Sequence, residues 1–131
     1  PPAVIPTNSD CAQGWRRRAA MAHQAGELNA AIHAWQKAIE CDPGDAESQF
    51  CLGLSNESLG NLDAAQAHYR LATDINPADF DAWFNLGNVL EAQGQAAGAE
   101  LAYRQALAIK PESASVLGNL GIVLGRLERL F

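Results

Sequence analysis

The chain has 131 residues, of which 48% are hydrophobic, so it can fold around a continuous core and is not intrinsically disordered. Nine basic against fifteen acidic residues give a net charge of -6, which disfavours binding to a polyanion such as a nucleic acid. No apolar run approaches the roughly 18 residues that cross a bilayer, so no membrane segment is expected.

The first ten residues, PPAVIPTNSD, lack the basic start and the apolar centre of a signal peptide. We expect them to form an extended segment ahead of a folded domain over residues 11–131. The sequence begins without Met, which suggests a piece of a longer protein. The absence of a recognisable targeting or membrane segment favours a cytoplasmic location.

The rest of the sequence repeats with a period of 34 residues. The segments CDPGDAES, INPADFDA and IKPESASV carry the prolines that mark this period, Pro43, Pro77 and Pro111. Between the prolines, apolar residues recur at helical spacing, and a glycine interrupts each stretch midway. These glycines are Gly26, Gly60 and Gly94. Each unit is therefore predicted to be two helices joined by a short turn.

Three complete units follow one another along the chain. They cover residues 12–45, 46–79 and 80–113, and a partial unit covers residues 114–131. We expect an all-α fold, an α-solenoid of three helix-turn-helix repeats plus one additional C-terminal helix. A proline ends the second helix of each unit, because it lacks a backbone donor and disfavours α geometry in the residue before it.

The residue types at the packing positions resemble the tetratricopeptide repeat (TPR) family. The third unit carries Trp83, Leu86, Gly87, Ala99, Tyr103, Ala106 and Pro111 at these positions. The second unit carries Leu52, Gly53, Ala65, Tyr69, Ala72 and Pro77, and the first carries Trp15, Ala19, Ala31, Trp35, Ala38 and Pro43. Small residues of this kind let neighbouring helices approach closely, and the aromatic residue fills the space between hairpins.

The resemblance implies that the first helix of each unit lines a concave groove that binds a partner. Eleven residues at the positions that face the groove in the family are the expected partner-binding set. They are Arg16, Arg17, Glu47, Phe50, Cys51, Leu54, Asp81, Phe84, Asn85, Asn88 and Asn119. Such a surface suits an extended peptide, because phenylalanines are apolar anchors and asparagine amides bond a peptide backbone whatever its sequence. The alternative is that Phe50 and Phe84 pack between neighbouring first helices and the asparagines meet only water.

Three consecutive arginines follow Trp15 in the first unit. The repeat register directs Arg16 and Arg17 towards the groove, as candidate anchors for an acidic or C-terminal partner group. Arg18 takes a position that holds leucine in the later units. Its aliphatic stem is expected to cover Trp15 while the guanidinium reaches water.

One TPR subfamily grips the C-terminal carboxylate of its partner with lysine, asparagine and arginine. Arg16 stands where that subfamily has lysine, but Ala20 and Cys51 replace its asparagines. Asp81 and Asn85 stand where it has cations. We therefore expect no complete carboxylate clamp.

Two segments, AWFNLGNVLEAQGQAAGAELAYRQALAIKP and VLGNLGIVLG, resemble the TPR arrays of O-linked N-acetylglucosamine transferases and similar bacterial proteins. In those arrays asparagines form a ladder along the groove. Asn85 and Asn119 occupy ladder positions here, Cys51 interrupts the ladder and Arg17 replaces one member. The resemblance implies an alternative function, the substrate-recruiting arm of a larger glycosyltransferase whose catalytic domain lies outside this chain.

No group of residues forms a catalytic, metal-binding or cofactor-binding pattern. His23, His33 and His68 are not spaced as a metal site, and the glycines recur at packing or turn positions instead of forming a phosphate loop. RNA binding is a third possibility, disfavoured by the acidic groove residues. These are Glu47, Glu57, Asp81 and Glu91. We expect a non-enzymatic interaction scaffold without a cofactor, which binds a protein or peptide partner and neither nucleic acid nor membrane.

Three cysteines, Cys11, Cys41 and Cys51, match neither a zinc site nor a disulfide framework in their spacing. This favours thiols in a reducing compartment, while an oxidising compartment would pair two of them and leave one free. Cys41 stands where later units have isoleucine, so it is predicted to be a small core residue. Cys51 is expected to be exposed in the groove. The redox state of all three stays open at this point.

The last segment, SASVLGNLGIVLGRLERLF, has the pattern of a first helix without its partner helix. Its apolar residues are Leu117, Leu120, Val123, Leu124 and Leu127. They leave an apolar terminal face, whereas a repeat array needs a polar cap. We predict that the chain continues beyond this helix or forms a homo-oligomer through it.

Overall fold

The computed structural model describes residues 8–128, and within them it contains seven α-helices and no strand. The helices are α1 (Asn8–Gln24), α2 (Leu28–Cys41), α3 (Ala46–Ser58), α4 (Leu62–Ile75), α5 (Phe80–Ala92), α6 (Ala96–Ile109) and α7 (Ala114–Glu128). The predicted all-α fold of three hairpins plus one further helix is confirmed. The first helix begins at Asn8, so the last three residues of the segment expected to be extended are helical. Residues 1–7 and 129–131 lie outside the described residues.

The turn inside each hairpin depends on a glycine in the left-handed region. Gly26, Gly60 and Gly94 have φ values of 76°, 81° and 78°. A backbone N–H five residues after its acceptor closes each turn, as in the bond from Asn61 N to Asn56 O at 2.8 Å. This is the Schellman motif, which favours glycine because a Cβ is strained at positive φ.

Each helix packs against the next one along the chain. Within the second and third hairpins, a tyrosine ring packs directly against a glycine of the first helix. A Cβ added to Gly87 would come within 2.5 Å of the Tyr103 ring, and one added to Gly53 would overlap Tyr69 in the same way. Both tyrosine side chains are fully buried. The glycines are therefore required for close approach of the two helices.

Aspartates cap the first helices of the second and third hairpins. The side chain of Asp45 accepts from Ser48 N at 3.2 Å, and that of Asp79 accepts from Ala82 N at 3.3 Å. Each bond satisfies a free backbone donor at a helix start. Asp63, inside the first turn of α4, instead accepts from Gln93 Nε2 at 2.7 Å and so links two hairpins.

Two of the three cysteines are joined. Cys11 and Cys41 form a disulfide between the beginning of α1 and the end of α2, with their Cα atoms 5.7 Å apart. Cys51 is free and half-buried. Of the two arrangements that the sequence left open, the structure has one pair and one free cysteine, because the antiparallel helices of the first hairpin bring Cys11 and Cys41 within disulfide distance. The favoured interpretation, three thiols with Cys41 as a core residue, is not what the structure shows.

Candidate functional site

The predicted partner-binding residues all lie on one set of helices, α1, α3, α5 and α7, and none of them is fully buried. We call the surface formed by these residues the first-helix face. Arg17, Glu47 and Asp81 are exposed on it. The other eight residues are half-buried. The first-helix face is therefore a surface on which polar and partly covered apolar groups alternate.

Arg16 is bound within the protein. Its Nη1 donates to the Oδ2 of Asp45 at 2.6 Å, across the contact between the first two hairpins. This hydrogen bond raises the pKa of Arg16. Burial acts to raise the pKa of Asp45, but hydrogen bonds from Ser48 and Arg16 outweigh it and hold the pKa below its usual value. Arg16 is thus already paired, whereas Arg17 makes no ion pair with a described residue.

Phe50 and Phe84 occupy the same repeat position, and each contacts the tyrosine of its own hairpin, while Phe84 also stacks on Phe80. The ring of Phe50 lies 5.7 Å from that of Tyr69, and the ring of Phe84 lies 6.3 Å from that of Tyr103. Both phenylalanines are half-buried and pack against the core. Each therefore has one side fixed by its tyrosine and retains a partly exposed side.

A hydrogen-bond network crosses the C-terminal half of the first-helix face. The Oδ1 of Asn88 accepts from the Tyr103 hydroxyl at 2.6 Å and from Asn119 Nδ2 at 2.9 Å. The same hydroxyl lies 3.2 Å from Oε2 of Glu91, whose other carboxylate oxygen is 3.4 Å from Nη1 of Arg126. Asn88 and Asn119 are therefore engaged internally. Asn85 makes no side-chain hydrogen bond with residues 8–128.

An equivalent contact is found in the second hairpin, where the Tyr69 hydroxyl donates to Glu57 at 2.7 Å. Burial and the neighbouring carboxylates raise the pKa of both tyrosines well above the usual range. Sequence reasoning treated Tyr69 and Tyr103 only as packing residues. A glutamate stands twelve positions before each tyrosine, and this repeated spacing was the available signal for the contact.

The uncompensated charge of the first-helix face is acidic. Glu47 and Asp81 are exposed and make no ion pair with a described residue. Glu57 and Glu91 accept from tyrosines, and Glu91 also pairs with Arg126. Since Arg16 is neutralised by Asp45, Arg17 is the cation of the predicted set that has no partner among the described residues. The exposed charged residues of the predicted set are therefore two carboxylates, Glu47 and Asp81, and one cation, Arg17.

Cys51 does not have the environment of a nucleophile. Burial and the negative charges of Glu47 and Asp45 raise the pKa of its thiol to about 12. A reactive cysteine needs a lowered pKa, because the thiolate is the attacking species. Among residues 8–128 no cluster of three potential metal ligands is found. No helix within the same range is both long and apolar enough to cross a membrane.

Comparison with protein families supports the repeat assignment. A tetratricopeptide repeat model matches residues 50–114, and a second TPR repeat model matches residues 21–60. No curated protein sequence matches the chain significantly.

Several solved structures share the fold. The first TPR domain of Spaghetti (RPAP3), bound to the HSP90 peptide SRMEEVD, is 18% identical with a TM-score of 0.87, and the match covers 95% of this chain and 99% of that one. The TPR domain of Arabidopsis OM64 is 16% identical with a TM-score of 0.82, over 88% of this chain and 96% of that one. A mutant O-GlcNAc transferase of Thermobaculum terrenum is 25% identical with a TM-score of 0.78, over 92% of this chain but 23% of the enzyme.

Proposed function

Because the chain belongs to the tetratricopeptide repeat family, we propose that it is a protein-interaction scaffold that holds an extended segment of a partner protein on its first-helix face. The observation that carries the proposal is the pair Phe50 and Phe84, which are half-buried at the same repeat position. Asn85 follows Phe84 on α5, and its amide makes no hydrogen bond to a described residue. Apolar anchors beside an unbonded amide are what an extended peptide requires.

The charge of the first-helix face indicates the chemistry of the partner. The peptide SRMEEVD, bound by the RPAP3 domain, is acidic. Here Arg16 is paired with Asp45, while Glu47 and Asp81 are exposed without an ion pair. We propose that the partner segment is neutral or basic and carries apolar residues for Phe50 and Phe84, because an acidic segment would be repelled by the two free carboxylates.

Selection of peptides from a displayed random library tests this proposal. We expect the selected peptides to contain apolar residues and an excess of lysine or arginine over acids. When Phe50 and Phe84 are both replaced by alanine, the selected peptides should bind roughly tenfold more weakly or worse, because each substitution removes a partly exposed aromatic anchor. The matched control is Leu71→Ala with Leu101→Ala, two exposed residues on second helices.

Circular dichroism must first show that both double variants remain folded. Binding that is equal in the phenylalanine variant and the parent would contradict the proposal. Selected peptides that are predominantly acidic would contradict the proposed partner chemistry.

A second candidate function is the substrate-recruiting arm of a glycosyltransferase. The observation that favours it is the 25% identity to the T. terrenum O-GlcNAc transferase, of which this chain spans 23%. Sequencing the full reading frame of the gene tests this function. If the function is correct, the gene encodes a nucleotide-sugar-binding domain joined to these repeats.

We also propose that the chain self-associates through α7. Leu117 is 49% exposed and shares a helix face with Gly121 and Leu124. Light scattering should show concentration-dependent dimers that Leu117→Glu abolishes, whereas Met21→Glu, at a 66% exposed site on α1, should leave them unchanged. A monomer at all concentrations would contradict this proposal.

The disulfide supports a location different from the cytoplasm expected from the sequence. A bond between Cys11 and Cys41 persists in oxidising compartments, such as the periplasm or the extracellular space. We propose such a compartment for this domain.

A further inference from the structure

One face of α7 carries no second helix within the described part of the chain. We call it the open face, and it consists of Leu117, Gly121 and Leu124. Gly53 and Gly87 hold the repeat position of Gly121 on α3 and α5, and each lies under a tyrosine ring. No described side chain comes within 4 Å of a Cβ added to Gly121. Leu117, one turn before it, is 49% exposed. The open face therefore lacks the helix that covers the equivalent residues of α3 and α5.

The sequence of α7 repeats the residues on which α5 receives its own second helix. Residues 85–90 of α5 read NLGNVL and residues 119–124 of α7 read NLGIVL, so only the fourth residue of the segment differs. On α5, Gly87 lies under the Tyr103 ring of α6, and Leu90 is almost completely buried. The hairpin of α5 and α6 therefore shows which kind of helix fits the open face.

Two differences between α5 and α7 concern the surroundings of the aromatic ring. In the third hairpin, the Tyr103 hydroxyl donates to Asn88 Oδ1 at 2.6 Å and lies 3.2 Å from Oε2 of Glu91. On α7 these two positions hold Ile122 and Gly125. Neither residue has a side chain that accepts a hydrogen bond. Phenylalanine therefore suits the open face better than tyrosine, whose hydroxyl would lose both of its acceptors.

We propose that the open face binds an amphipathic α-helix of a partner protein, with a phenylalanine ring against Gly121. The bound helix runs antiparallel to α7, as α6 does to α5. Small residues flank its phenylalanine, as the fully buried Ala99 and Ala106 flank Tyr103. The inference goes beyond the extended segment proposed for the first-helix face, because it assigns a second binding surface with a helical ligand.

Other occupants fit the open face less well. An extended peptide has free backbone N–H and C=O groups that the leucines of this face cannot bond, whereas a helix bonds its own backbone. A second copy of α7 can pair through the same face, as proposed above, but residues 114–128 contain no aromatic side chain to fill the space beside Gly121. A helix with a phenylalanine buries more apolar surface there and should displace the second copy.

Three blocked peptides with the sequence of residues 95–110 test the inference. One keeps Tyr103, and the others carry Tyr103→Phe or Tyr103→Ala. The backbone amide resonance of Gly121 reports on binding in a two-dimensional NMR titration of the protein. We expect the phenylalanine peptide to bind roughly tenfold more tightly than the alanine peptide and roughly threefold more tightly than the tyrosine peptide. Equal binding of the phenylalanine and alanine peptides, or a Gly121 resonance that no peptide moves, would overturn the inference.

Variants of the protein separate recognition of the ring from a general change in structure. Gly121→Leu fills the space for the ring and should abolish binding. Gly14→Leu, at an exposed glycine of α1 that also has free space, should preserve it. Ile122→Asn with Gly125→Glu gives α7 the acceptors of α5, so the preference should change from phenylalanine to tyrosine. A preference for phenylalanine that persists in this double variant would contradict the assigned surroundings of the ring.

The outcome is distinguishable from a failure of the proposed function. If the helical peptides do not bind while the library-selected peptides still depend on Phe50 and Phe84, the helix site is wrong and the scaffold proposal stands. If the phenylalanine peptide binds to a protein that light scattering shows to be monomeric, the self-association proposal is wrong and the helix site stands.

Discussion

Single residues of the same type have different roles in this chain, as the three consecutive arginines show. Arg16 binds Asp45, Arg17 is exposed, and the guanidinium carbon of Arg18 lies 4.9 Å from the centroid of the Trp15 ring. The contact of Arg18 with Trp15 was predictable, since the two residues are three positions apart on one helix. The partner of Arg16 was not, because Asp45 is 29 residues away and already caps another helix.

Replacing Arg16 tests its structural role. Arg16→Gln should lower the free energy of unfolding by about 1–3 kcal/mol, because it leaves a mostly buried carboxylate without its charged partner. Arg17→Gln is the matched control and should change the free energy by less than about 0.5 kcal/mol. Urea denaturation measures both. Equal effects of the two substitutions would mean that the ion pair contributes nothing to stability.

The same ion pair has a consequence for acid stability. The pKa of Asp45 in the folded protein lies below its ordinary value of 3.8, so its contribution is present above that pH and is lost as the pH falls through the folded pKa. Arg16→Gln should therefore reduce the loss of stability on acidification below pH 3.8. Measuring the free energy of unfolding as a function of pH checks the direction.

At the scale of helices, much of the fold follows from the 34-residue period. The prolines and glycines specify where helices end, and the turns at Gly26, Gly60 and Gly94 lie where the sequence indicates. The start of α1 at Asn8 was missed, since no periodic apolar residue marks it. The bond from Gln93 to Asp63 was not predictable, because it depends on how two hairpins dock.

Two glycines at one repeat position allow a matched test of hairpin packing. Gly87→Ala should destabilise the protein by about 1–3 kcal/mol, because the added methyl group would overlap the Tyr103 ring. Gly121→Ala should instead stabilise it by about 0.5–1 kcal/mol, since nothing lies within 4 Å of the added Cβ and alanine favours the helix. Thermal unfolding monitored by circular dichroism measures both. Destabilisation by both variants would exclude ring packing as the cause.

For the molecule as a whole, the repeat register was enough to predict that the eleven residues lie on the first helices, α1, α3, α5 and α7. It did not predict which polar residues are already bonded internally. Such contacts depend on the distance between side chains of different hairpins, and the spacing of residues along the sequence does not give that distance.

The first hairpin differs from the others because a covalent bond closes it. In a repeat array each hairpin is stabilised by the hairpins that pack against it. The second helix of this first hairpin, α2, packs against α3, and Arg16 of α1 bonds to Asp45 at the start of α3. The disulfide between Cys11 and Cys41 restricts the unfolded chain of this hairpin and so adds to its stability.

Reduction of the disulfide should therefore affect the molecule unevenly. We expect a loss of about 2–4 kcal/mol in the free energy of unfolding on adding a reductant. Hydrogen exchange should quicken in α1 and α2 far more than in α5 and α6, because the hairpins open as partly independent units. Cys51→Ser should respond to the reductant like the parent, whereas the double variant Cys11→Ser with Cys41→Ser should not respond. Uniform loss of protection along the chain would show instead that the repeats unfold as one cooperative unit.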